Sequence, residues 1–141
     1  MFADYQAGVD AYQAGDYATA YKEFKILAEQ GNAEAQHMLG MMYYEGKGVT
    51  QDYKEAVKWY HLAAEQGDDA AQRELSFMYR YGNGVIKDRV LAHMWINIAA
   101  SNNEDLKSLR DTVEGNMTSE QITEAQKLAR ECIKKNYKDC G

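Results

Sequence analysis

"GMMYYEGKGVTQDY", residues 40–53, returns as "SFMYRYGNGVIKDR", residues 76–89. Methionine, tyrosine, two glycines, valine and aspartate keep their places at a shift of 36 residues, and a fixed period of about 20–50 residues is the signature of stacked repeats. The register extends both ways: "AEQGNAEAQ" (28–36) matches "AEQGDDAAQ" (64–72), and "AVKWYHLAA" (56–64) matches "AHMWINIAA" (92–100). Asp16, Ala20, Phe24 and Ala28 carry the pattern of Asp52, Ala56, Tyr60 and Ala64 one period earlier. The first half of that early unit needs a shift of 32, so its loop before Asp16 is four residues shorter.

Each unit reads as two helices. Ala35, Leu39, Met42 and Tyr43 recur at spacings of three and four, the period of one helical face. Gly46 and Gly48 follow, and glycine tolerates the left-handed backbone that ends a helix. Asp52 restarts the chain as an N-cap, with Glu55 placed for a capping box. Ala56, Trp59, Tyr60, Ala63 and Ala64 make the second buried stripe. Gly31 and Gly67 close the second helices, and Asn32 and Asp68 cap the next. Small Ala56 and Ala92 allow close helix approach, while Trp59 and Trp95 fill the space between units. Beyond residue 101 the period is lost. "NEDLKSLRDTVEG" suggests a short amphipathic helix ending at Gly115, and Thr118 with Gln121 forms a capping box that opens a longer one. Such a pair suits the end of a stack, which must show water a polar face.

Composition narrows the function. An apolar fraction of 45% and a charged fraction of 27% suit one folded domain spanning 1–141, and proline is absent, which favours uninterrupted helices. A net charge of −6 with no basic cluster argues against nucleic acid and anionic membranes as partners. No apolar run approaches the roughly 20 residues of a membrane helix, and no leader peptide precedes "FADYQAG". Met1 fits a cytoplasmic chain, or a mature exported chain with an added initiator methionine.

The pattern A-x-A-Q, L-G-x-M-Y, G-x-G-V, D, A-x-x-W-Y-x-x-A-A resembles the Sel-one-like repeat (SLR) family, relatives of the tetratricopeptide repeat. The resemblance covers about residues 5–101, in units near 5–31, 32–67 and 68–101, with a cap near 102–141. Ser76 stands where the family usually has glycine, Thr50 and Ile86 where proline is frequent, and Glu23 where tryptophan is expected. The resemblance implies an all-α fold: a right-handed α/α superhelical solenoid of antiparallel helix pairs with a C-terminal capping helix pair. It also implies a non-enzymatic, monomeric scaffold or adaptor that binds a protein or peptide on its concave face. The closing segment "MTSEQITEAQKLAREC" is similar to that of bacterial secreted or periplasmic members, so a periplasmic or secreted location is expected, with cytoplasmic as the alternative.

Cys132 and Cys140 are the only cysteines. Eight helical steps would separate their Cα atoms by about 12 Å, beyond the roughly 7 Å reach of a bridge. A disulfide therefore requires the helix to stop between them, and Asn136 is a candidate terminator; two free thiols are the other possibility. The C-x7-C spacing also resembles that of cysteine-rich family members, in which the pair bridges the two helices of a repeat. Some of those relatives have been proposed to bind or hydrolyse β-lactams, which makes β-lactam binding or weak hydrolysis the alternative function. Absence of S-x-x-K argues against serine chemistry of that kind.

Other chemistry is poorly supported. Gly46-Lys47-Gly48 and Gly82-Asn83-Gly84 lack the remaining positions of a nucleotide loop. His37, His61 and His93 occupy different places in the unit, so superposed repeats do not gather them around a metal, and no cofactor is expected. Variation between units is more informative, because residues fixed by packing recur whereas those facing a partner are free to differ. On the first helix of each pair, which lines the inner curve in this family, that stripe comprises His37, Met41, Tyr44 and Glu45, then Arg73, Phe77, Arg80 and Tyr81. Tyr5, Val9 and Gln13 continue it in the first unit. Aromatic and arginine side chains dominate binding hot spots, and these positions are the candidate partner-binding residues.

Overall fold

Side-chain oxygens before nearly every helix fix where the helices begin. Asp4, Asp16, Asn32, Asp52, Asp68 and Asp88 each accept from a backbone amide of the first turn that follows, worth about 1 kcal/mol apiece. The helices so started are α1 (Tyr5–Gln13), α2 (Tyr17–Glu29), α3 (Ala33–Glu45), α4 (Tyr53–Ala64), α5 (Asp69–Tyr81) and α6 (Arg89–Asn102). A 3-10 turn (Glu104–Leu106), α7 (Lys107–Glu114) and α8 (Ser119–Lys134) complete the chain. This computed structural model describes residues 3–141; Met1 and Phe2, included in the expected domain, lie outside it.

Thr118 and Gln121 form both halves of the expected capping box, at 3.1 and 2.9 Å. Asp52 does not. Its carboxylate caps Lys54 and Glu55, but its own amide donates back to the Tyr43 carbonyl at 2.9 Å, so Glu55 has no reciprocal bond to make. Asp88 does the same to Tyr79. The aspartate therefore fastens each second helix to the end of the first.

The helices pair as α1–α2, α3–α4 and α5–α6, and each pair packs on the next through α2–α3 and α4–α5. Phe24, Leu39, Met42 and Trp59 bury themselves between the first two pairs, and Tyr60, Leu75, Met78, Trp95 and Ile98 between the later ones. Trp59 and Trp95 thus occupy the predicted inter-unit space. Within a pair, closeness depends on one position. A Cβ at Gly8 would lie 2.7 Å from the Phe24 ring, and one at Gly40 2.7 Å from the Tyr60 ring. In the third pair Ser76 and Ile96 stand where the second has Gly40 and Tyr60, and the Ser76 hydroxyl donates to the Ala92 carbonyl at 2.6 Å.

Between units the glycine loops nest. Gly48, with φ +76°, lies where a Cβ would come within 2.7 Å of the Tyr17 carbonyl, and Gly84, with φ +73°, within 2.5 Å of the Tyr53 carbonyl. Each loop sits on the first turn of the preceding unit's second helix. Gln36 and Gln72 tie the units from the other end, donating to Ala28 and Ala64 carbonyls at 3.1 Å each. Gln66 in turn donates to the Gln36 oxygen at 2.8 Å. Its counterpart one period on, Asn102, is a methylene shorter and donates to the Tyr137 hydroxyl instead, leaving the buried Gln72 oxygen unpaired among the described residues.

Helices α7 and α8 pack on α6 and cap the stack. Cys132 of α8 is bridged to Cys140, with Cα atoms 5.3 Å apart. Helix α8 ends at Lys134, and Asn136 and Tyr137 take left-handed φ values of 53° and 67° that fold the tail back. The bridge therefore joins a helix to its own tail, and not the two helices of a repeat as in the cysteine-rich relatives.

Candidate partner-binding site

Variable residues of the first helices fall into two groups. In the third unit, α5 presents Arg73, Phe77, Arg80 and Tyr81. Phe77 is 42% exposed and Tyr81 53%, large values for aromatic side chains on a folded chain. Their rings lie 4.7 Å apart, and the Arg80 guanidinium rests over Tyr81 at 5.3 Å. Tyr44 of α3 extends the strip, meeting Phe77 edge-on at 6.3 Å. Burial, followed by the charge of nearby Tyr53 and Glu74, pushes the Tyr44 phenol above its ordinary range. Arg73 forms an ion pair with Glu74 at 2.9 Å.

The remaining candidates lie elsewhere or serve packing. Tyr5 and Val9 are half-buried against the first core cluster, with the Tyr5 ring 5.6 Å from Phe24. That burial raises the Tyr5 phenol pKa. His37 is half-buried with its ring 5.8 Å from Tyr60, and Met41 is half-buried beside it. Gln13 is exposed at the last position of α1. Glu45 pairs with Lys47 at 2.9 Å and accepts from the Tyr12 hydroxyl at 3.3 Å. It thereby turns toward α1 and away from Phe77. Hydrogen bonds to Glu45 and Tyr12 hold the Lys47 ammonium pKa above its usual value.

Two contributors escaped sequence reasoning. Tyr53, on a second helix, stacks on Tyr44 at 5.2 Å. Leu109 and Val113 of α7 face Arg73, Glu74, Ser76, Phe77 and Arg80 across a hollow of about 230 Å3. Their spacing of four marks one face of α7, but the 36-residue period ends before that helix. The second and third units also differ at the position of Tyr60 and Ile96. In the second unit the Tyr60 ring fills the space beneath His37; Ile96 supplies no ring beneath Arg73.

No helix among the described residues is long and apolar enough to cross a membrane, and none of their His, Cys, Asp or Glu side chains converge in threes. His93 instead meets Glu114 at 2.8 Å, joining α6 to α7.

Helix pairs in sequential contact, nested loops and a terminal cap define a right-handed α/α superhelical solenoid. The Sel1 repeat matches residues 33–68 and 69–104, just over half the chain, and the chain belongs to the Sel1 repeat family. It is similar to the crystal structure of a protective antigen present in uropathogenic Escherichia coli strains, which displays an SLR fold. That match has 33% identity and a TM-score of 0.87, over 94% of this chain and 30% of that one. A Sel1 repeat protein from Oxalobacter formigenes is also similar, at 33% identity and a TM-score of 0.68, over 73% of this chain and 30% of that one. The chain thus spans at most 30% of either relative's length. No curated protein matches it. Sel1 repeat proteins are generally non-catalytic scaffolds for protein interaction.

Proposed function

We propose that the chain binds a protein or peptide segment along the face formed by its first helices, with Tyr44, Phe77, Arg80 and Tyr81 as anchors, and performs no catalysis itself. The continuous Tyr44–Phe77–Tyr81 strip carries this reading. Rigid aromatic rings offer large contact area at little ordering cost, and a packed solenoid presents them already in place. Both cysteines, by contrast, are bridged, and the buried Ser76 hydroxyl is bonded to a carbonyl. The bridge also favours an oxidising compartment, so the proposed location is periplasmic or secreted and the chain acts there as a monomer.

Tyr44→Ala combined with Phe77→Ala tests the site. A partner captured by the native chain under native conditions should lose at least about tenfold in affinity, as expected when hot-spot aromatics are truncated, while circular dichroism stays native. Unchanged affinity with an intact fold places the binding elsewhere.

A further inference from the structure

Two adjoining hollows lie where α5 meets α7, and they share Arg80 and Val113. The first, about 230 Å3, is walled by Phe77, Leu109 and Val113. Small-molecule sites usually have roughly 300–1,000 Å3, so this one suits a single Leu-, Met- or Phe-sized side chain. The second, about 160 Å3, is bordered by Tyr81, Lys87, Arg89 and Asn116.

Their charge departs from that of the molecule. The chain carries a net −6, yet four cations, Arg73, Arg80, Lys87 and Arg89, edge these hollows. Nearby carboxylates are already engaged: Glu74 with Arg73 at 2.9 Å, Asp111 with Arg110 at 3.3 Å, and Glu114 with His93 at 2.8 Å. Arg80, Lys87 and Arg89 pair with no carboxylate among the described residues; Arg80 rests on Tyr81, and Arg89 donates to the Asn116 carbonyl at 3.2 Å. One period earlier the same positions hold Tyr44, Gln51 and Tyr53. The positive charge is therefore particular to the third unit and is not required by the repeat.

From this juxtaposition we infer that the α5–α7 junction takes an acidic peptide segment. One bulky apolar side chain enters the hollow between Phe77 and Leu109, and neighbouring aspartate or glutamate carboxylates lie against Arg80, Lys87 and Arg89. The assignment deepens the peptide-binding reading and rests on it. An apolar anchor supplies affinity through burial, whereas the cations select the partner's sign and hasten its approach. A basic peptide meets three like charges that form no ion pair among the described residues.

The test is to pan a phage library of short random peptides on the intact chain, then titrate the enriched peptides, synthesised with a fluorescent label. Enriched sequences are expected to place Asp or Glu beside a large apolar residue and to bind more weakly as salt rises. Arg80→Glu with Lys87→Glu should weaken them by at least about tenfold, because like charges then face each other. Leu109→Glu, at an exposed position on α7, should do the same by setting a carboxylate on the apolar wall of the hollow, and circular dichroism verifies both folds. Neutral or basic peptides that are still lost on Tyr44→Ala with Phe77→Ala overturn this inference and leave the first-helix face as a binding site. Peptides indifferent to all these variants, or no enrichment at all, overturn both.

Discussion

Gly84 has to be glycine for a reason beyond its own backbone. Its φ of +73° disfavours any side chain, but so does the φ of +80° at Gly15, where nothing lies within 4 Å of the place a Cβ would take. What separates them is the Tyr53 carbonyl, 2.5 Å from where the Gly84 Cβ would be. Gly15→Ala is expected to cost about 1 kcal/mol, the left-handed penalty alone. Gly84→Ala should cost upward of about 3 kcal/mol, since it also forces two units apart. Urea unfolding midpoints for the two variants check the difference, and equal losses would mean that the loops do not clamp the stack. The sequence made the turn legible, because glycine recurs there in both copies. It did not show which neighbour forbids a Cβ, since periodicity reveals that a position is fixed without revealing what fixes it.

Among elements, the tightest constraint lies inside each pair. Gly8 faces Phe24 and Gly40 faces Tyr60, and one period on the latter two positions hold Ser76 and Ile96. A small residue opposite a ring and a larger one opposite an aliphatic chain are two solutions to one volume. Gly40→Ser should therefore destabilise by about 2 kcal/mol through overpacking, and Tyr60→Ile by a similar amount through the lost ring. Together they should lose clearly less than the sum, giving a coupling of about 1 kcal/mol or more in a double-mutant cycle. Strict additivity would show that the two positions do not share the space. The departure at Ser76 was visible in the sequence, but its compensation was not. The two residues are twenty apart, and only the antiparallel pairing brings them together. The same limitation hid the α7 contribution to the hollow. Leu109 and Val113 have no counterpart in the repeat, so comparing one unit with another passes over them.

For the whole molecule, the fold class followed from the period, and the cap from the loss of the period after residue 101. The aromatic strip followed from what differs between copies, whereas the contacts of Tyr5 and Val9 with the first core and of Glu45 with Lys47 did not. Sequence spacing showed what a Cys132–Cys140 bridge requires, namely a helix that stops in between; the left-handed residues at 136 and 137 supply it. Opening that short loop by Cys132→Ser with Cys140→Ser should lower stability by about 2.5 kcal/mol, the loop-closure entropy of the unfolded chain. Thermal or urea unfolding of the variant, alongside the native chain with and without reductant, measures it. No loss would mean that the tail contributes nothing once α8 has docked. The bridge also sets a route for mechanical load. Tension arriving from the C-terminal side passes through the sulfur atoms into α8 where it is pressed against α6, so the seven residues spanned by the covalent link stay slack and the capping helix takes the strain first.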